Sequence, residues 1–358
     1  MYIEKRAIVE GILYEDDEIQ LLKTSTSAKK AMLYLQLTPK AKVNDEVIVN
    51  VTSTELKLGT GGMDFVTHVL RSLPKENLIQ NGHIMKARYL PNQLSVLAVE
   101  AQESKYHYLF KQPFSLEGKK ILIGELHSMI PICFWAMDFL KKDGKMVVII
   151  SDEASIPLSV SNHVRTLNQD ERFLTITIGQ AFGGTYEAIN LHTALQFASE
   201  VLKGDVIFVT LGPGVVGSGT SYGFSGVEQA AWANTVGSLN GVPVWIPRLS
   251  ETDKRERHRG ISHHTFTSMI KFTYAQSILP LPTVNGEIGE KIKKQVEEIC
   301  EKHHVQWVLK DPLEEVMKHC LSKSSIPLQT MGRQYKDDPL FFLGVTAAIK
   351  WLLDSSEN

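Results

Sequence analysis

The chain has 358 residues, 43% of them hydrophobic and 22% charged, with a formal charge of −2 at pH 7. That length buries a core without a disulfide or metal staple, and that charge balance gives no electrostatic case for nucleic acid or an anionic membrane as partner. Three scattered cysteines, Cys133, Cys300 and Cys320, exclude a disulfide framework and point to reduced thiols in a cytoplasmic protein, while no signal-peptide core or membrane-spanning run is present.

Residues 1–110 read as a small, mostly β, barrel-like domain. "RAIVEGILYEDDEIQLL", "AMLYLQL" and "DEVIVNV" are β-rich runs between polar turns, and "HIMKARYLPNQLSVLAVEA" (83–101) reads as a hairpin. Between them "LGTGGMDFVTHVLRSL" (58–73) predicts a glycine turn, Leu58–Gly62, followed by a short helix.

Residues 117–358 change to alternating strands and helices. Apolar runs at 120–124, 146–150, 173–178, 206–210, 242–246 and 278–281 are separated by helical stretches at 129–142, 156–168, 185–203, 225–240 and 262–276. Continuous apolar strands joined by helical crossovers predict an α/β, Rossmann-like, doubly wound, mostly parallel sheet. "GEKIKKQVEEICEKHHVQWVLKD" adds a charged amphipathic helix and one more strand, with His303 and His304 read as surface, and "DDPLFFLGVTAAIKWLLD" reads as a docking helix.

Ligands of open α/β sheets bind beyond the carboxyl ends of the strands. Those ends carry Glu125 and His127, then Asp152 and Glu153, then Glu187 at an expected helix start, then "LGPGVVGSGTSYGFSG" (211–226), and finally Arg248 with "ETDKRERHRGISHH". Gly212, Gly214 and Gly217 fit G-x-G-x-x-G after a strand, but helical periodicity begins only near Ser225, the expected cap, so a dinucleotide fingerprint fits poorly. No lysine follows Gly219 as a phosphate loop would require. Two readings stay open: an anion cradle of backbone N–H groups with Ser218, Gly219 and Thr220, or a glycine turn packed closely on its neighbours.

In "DKRERHRGISHH", Arg257 and Arg259 are candidates to clamp phosphate or carboxylate. Ser262 is a good helix N-cap, which places His263 and His264 in the first turn, where the helix dipole favours neutral imidazole. His258, His263 and His264 are therefore candidate bases, with Glu187 beside them. His127, His258 and His263 are candidate ligands of a divalent metal ion, helped by Asp253, Asp152, Glu125 or Glu187. A solvated basic loop is the alternative.

The motifs "LGTGG", "LGPGVVGSGT", "GVEQAAW" and "RERHRGISHH" together resemble a family of uncharacterised bacterial proteins, a domain of unknown function. That likeness runs along most of the chain and implies no activity. The residues themselves suggest an enzyme, a hydrolase or transferase, binding a small anionic, phosphorylated or nucleotide-like ligand. The alternative is a non-catalytic ligand-sensing or scaffold protein, with a dehydrogenase ranking third. A homo-oligomer stays open.

Overall fold

The structure, a computed structural model, describes residues 2–57, 62–70 and 82–355. It contains two compact units, Met1–Asn81 with Ala87–Ser95, and Gly82–Lys86 with Val96–Asn358.

The first unit is a closed barrel of β1 (Glu4–Glu15), β2 (Ile19–Thr24), β3 (Lys30–Tyr34), β4 (Glu46–Asn50) and β5 (Asp64–Val69), in the order β1-β2-β3-β5-β4. All neighbours are antiparallel except β3 and β5. Alternate residues, among them Ala7, Val9, Leu22, Leu33, Val47 and Val49, fill its interior. Asp64 is fully buried there and accepts hydrogen bonds from the hydroxyls of Thr26 (2.7 Å) and Thr54 (2.6 Å). The helix expected after the glycine turn is instead strand β5, because the β-branched run Val66, Thr67 and Val69 closes the barrel. Residues 58–61 and 71–73 of that stretch lie outside the described residues.

The second unit is built on an all-parallel sheet. Its strands are β6 (Lys120–Gly124), β7 (Met146–Ser151), β8 (Phe173–Thr177), β9 (Tyr186–Glu187), β10 (Val206–Leu211), β11 (Val242–Trp245), β12 (Ile278–Pro282) and β13 (His304–Val308), in the order β9-β8-β7-β10-β6-β11-β12-β13. Helices cover both faces. Ile121, Ile123, Val147, Ile149, Ile207 and Val209 pack against α3 (Leu191–Glu200), α4 (Gln229–Ser238) and α6 (Gly286–Ile299). On the other face Leu122, Val148, Ile150 and Phe208 pack against α1 (Met129–Leu140), α2 (Asn162–Leu167), α7 (Lys310–Lys323) and α8 (Pro339–Asp354). The helix α5 (His263–Thr267) continues into a π-helical turn over Ser268–Phe272.

Two sequence readings change here. Glu187 lies on the short strand β9, and α3 begins only at Leu191, capped by the Asn190 side chain. His303 is buried and bonded through Nε2 to the Met269 carbonyl (3.1 Å), so of the pair only His304 is on the surface.

The topology sets up a site. The helices after β6 and β7, α1 and α2, lie on one face, whereas α4, which follows β10, lies on the other. Because β10 sits between β7 and β6, the chain segments leaving its carboxyl end part from those of both neighbours. Crevices of this kind are where open sheets place ligands.

Candidate functional site

The glycine segment leaves β10 at this parting. It forms a tight, exposed hairpin: Gly217 bridges Phe224, and the Ser218 N–H donates to the Gly223 carbonyl (2.8 Å). The Ser218 and Thr220 hydroxyls are engaged within the hairpin, with each other (2.9 Å) and, for Ser218, with the Gly223 carbonyl (3.0 Å). Most of the glycines answer to the protein itself. Gly214 (φ +100°) and Gly219 (φ +78°) occupy the left-handed region. A Cβ on Gly212 would lie 2.9 Å from the Ser155 carbonyl oxygen, and one on Gly226 would lie 2.6 Å from Glu125 Cγ. The helix after the hairpin opens as a 3₁₀ turn without a side-chain cap, and Ser225 Oγ accepts from the Val216 N–H (3.2 Å) instead.

The hairpin and the double histidine are neighbours. A Cβ on Gly217 would be 3.7 Å from His264 Cε1, and Phe224 stacks on the His264 ring at 4.0 Å and 6°. Ser262 caps α5 as its position predicts, accepting from the His264 N–H (3.3 Å). This places three imidazoles together, with ring centroids 5.0 Å (His258–His263), 5.1 Å (His258–His264) and 4.4 Å (His263–His264) apart. One ligand atom from each lies within 4.8 Å of the other two.

Each ring nitrogen has a distinct environment. His264 Nδ1 donates to Glu125 Oε1, and Arg248 Nη1 reaches both Glu125 oxygens at 3.2 Å. Burial pushes the Glu125 carboxyl upward, but His264 and Arg248 together outweigh it and hold it below the ordinary value. A carboxylate only accepts, so His264 donates from Nδ1, which leaves Nε2 as its remaining ligand atom. His258 Nδ1 is 2.7 Å from Ser262 Oγ, which leaves its Nε2 as the remaining ligand atom. His263 Nε2 is buried with no hydrogen-bond partner. Burial first, then the Arg248 charge, lowers His258 to a pKa of about 3. Burial, then His264 and Arg257, lowers His263 to about 4. Both are neutral at physiological pH, as metal ligation requires.

Ser262 therefore holds two parts of the cluster at once. Ser262→Ala is expected to cost about 1–2 kcal/mol, measured by urea denaturation; an unchanged midpoint would mean that the cap and the His258 contact contribute nothing.

The other sequence candidates are distributed as follows. Arg257 has no acidic partner within 4 Å among the described residues, and its Nη2 lies 3.6 Å from where a Gly219 side chain would begin. Arg259 turns to Glu256 (3.5 Å) and Glu287 (3.9 Å). Asp253 pairs with Arg255 (2.9 Å). His127 lies outside the three-histidine group; it bonds Ser161 Oγ through Nε2, and burial, then His163, lowers its pKa to about 3. Glu187 is separated from β6 by β8, β7 and β10. It accepts from the Thr177 hydroxyl (2.8 Å) and the Gly183 N–H (2.8 Å) and pairs with the fully buried Lys86 (3.5 Å). Burial raises the Glu187 pKa despite Lys86, and lowers that of Lys86 despite Glu187.

Phe224 and Arg248 are the site members whose contacts sequence reasoning missed. Phe224 had a signal, an aromatic residue ending a glycine segment; Arg248 had only its place at a strand end. A cavity of about 1250 Å³ opens at the other end of the sheet, lined by Lys119, Lys120, Lys141 and Lys203. Helices α1, α3 and α8 end there, and Lys120 Nζ donates to the Ser355 carbonyl (2.6 Å). Lys141 at the end of α1 and Lys120, through the Ser355 carbonyl at the end of α8, offset helix dipoles there.

No curated protein matches the chain significantly. Residues 30–349 match the family model described as "Protein of unknown function (DUF3866)". The chain belongs to that family.

Proposed function

We propose that His258, His263 and His264 hold a divalent transition metal, zinc by preference, and that the protein is a metal-dependent hydrolase acting on a small phosphorylated substrate. The observation that carries this is three histidines with one ligand atom each within 4.8 Å of the others, beside a buried His263 Nε2 that has no hydrogen-bond partner. Three imidazoles with an open fourth position are a catalytic zinc donor set. A carboxylate behind a ligating histidine, here Glu125, is the usual outer support of such a site.

When bound, the metal would supply a water made acidic enough to attack at neutral pH. In hydrolysis the water oxygen bonds to phosphorus, the ester P–O bond breaks, and the departing oxygen takes a proton. Arg257, which has no acidic partner among the described residues, supplies the charge that would hold the phosphate; Arg259, given to glutamates, does not. The Ser218 and Thr220 hydroxyls are already engaged, so substrate recognition falls on Arg257 and on backbone groups of the hairpin.

We read the sheet as Rossmann-like in having parallel strands and helices on both faces. Taking β6, β7, β8, β10, β11 and β12 as one to six, its order is 3-2-4-1-5-6, whereas dinucleotide folds run 3-2-1-4-5-6. That difference, with a glycine segment that builds a hairpin, favours a phosphate ester over a dinucleotide.

The test is uptake and turnover. Protein stripped with chelator and reloaded with zinc is expected to retain one ion per chain and to hydrolyse p-nitrophenyl phosphate. His263→Ala is expected to lose both. Equal zinc retention in the two proteins overturns the metal assignment; retention without turnover on phosphate esters overturns the hydrolase and returns the protein to ligand sensing.

A further inference from the structure

The two edges of the parallel sheet are finished differently. At one, β9 is only two residues long, and so short an edge offers little for another strand to pair with. At the other, β13 runs for five residues and pairs only with β12 among the described residues. None of its side chains is buried, whereas those of β7 and β10 are buried throughout. Trp307 is 44% exposed, and Leu309 just beyond it is 70% exposed.

The backbone of β13 is open as well. The His304 N–H donates to the Ser277 carbonyl and the Val308 carbonyl accepts from the Thr283 N–H, so even-numbered residues turn their backbone groups toward β12. By the alternation of an extended chain, Val305 and Trp307 turn theirs outward. The strand lacks the usual guards of such an edge, with no lysine, proline or acidic residue and no register break against β12.

We propose that β13 is a dimer edge, pairing antiparallel with β13 of a second copy of this chain about a two-fold axis at Gln306. In this register Val305 of each copy lies opposite Trp307 of the other. The two exchange backbone hydrogen bonds and form an aromatic–β-branched pair, a favourable cross-strand combination. His304 meets Val308, and Gln306 meets its own copy. The strand carries no Asp, Glu, Lys or Arg, so pairing with itself brings no like charges into opposition. An isologous contact needs this self-complementarity, and β13 has it. The contact is small, so the dimer is concentration-dependent.

Sedimentation velocity of the full-length chain at rising concentration tests this, with a shift expected from one chain mass to two. Gln306 is exposed and sits on the axis, so Gln306→Lys or Gln306→Glu sets like charges against each other across it. Each variant alone is expected to stay monomeric with an unchanged circular dichroism spectrum, and an equimolar mixture of the two to dimerise again. A wild type that is monomeric at every concentration, a dimer that persists in both single variants, or a mixture that stays monomeric overturns the proposal.

Discussion

Glu125→Ala is expected to destabilise the protein by about 3–5 kcal/mol, the range for removing one partner of a buried ion pair. The Glu125 and Arg248 side chains are 1% and 8% exposed. With the carboxylate gone, the Arg248 guanidinium keeps, among the described residues, Met331 Sδ (3.1 Å) and His264 Nδ1 (3.1 Å) as its hydrogen-bonding neighbours, and neither neutralises a buried charge. His264 also loses the acceptor that fixes its tautomer. Urea denaturation of metal-free protein measures the first effect, and zinc affinity, expected to fall roughly 10–100-fold, measures the second. Removing both charges at once, in Glu125→Leu with Arg248→Met, is expected to restore much of the stability but none of the zinc affinity. A loss below about 1 kcal/mol in Glu125→Ala, the range of a surface pair, would show that the pair is far more hydrated than its burial indicates.

The second large effect is on acid stability. His127 and His258 are held near pKa 3 and His263 near 4, in each case chiefly by burial. In the unfolded chain a histidine titrates near 6.5. Between about 6.5 and the native values the unfolded state binds more protons, so folding stability is fully present above that window and falls as pH drops through it. With three such groups the urea midpoint is expected to fall steeply between about pH 6.5 and 4, and His258→Gln is expected to flatten the slope. Protonation competes with the metal for the ligand nitrogens only near their native values, so zinc is retained until pH falls toward about 4 or the protein unfolds. A midpoint that holds constant or rises toward acid would mean that these rings are charged in the native protein.

The barrel and the parallel sheet were legible because each follows from a local pattern. Alternating runs such as Val47 and Val49 read as half-buried strands, and continuous runs such as Met146–Ser151 read as strands covered on both faces. Local pattern misled where two signals competed. The segment before Val69 carries a glycine cluster that suggests a helix start, yet its β-branched residues belong to the barrel. Glu187 looked like a helix cap because the true cap, Asn190, lies three residues on. His303 looked exposed beside Lys302, and only the fold shows the Met269 carbonyl that holds it.

The site was legible in its parts and not in its assembly. The spacing of Ser262, His263 and His264 follows from one helix turn and could be read directly. The meeting of Glu125 with His264, 139 residues apart, depends on β11, the strand that leads into the histidine segment, pairing directly with β6, an order that the chain does not spell out locally. The opposite fates of Arg257 and Arg259 depend on where Glu287 of α6 falls. The glycine segment turned out to be shaped largely by its own turns and by Ser155 and Glu125, contacts for which sequence spacing carries no signal.

The most direct test of the three-histidine centre is a titration of the metal-free protein with cobalt(II), followed by visible absorption. A single equivalent should bring up the intense bands of a tetrahedral ion in the wild type, weakened in Glu125→Ala and absent in His263→Ala. A wild-type spectrum no different from that of His263→Ala would contradict a metal at His258, His263 and His264.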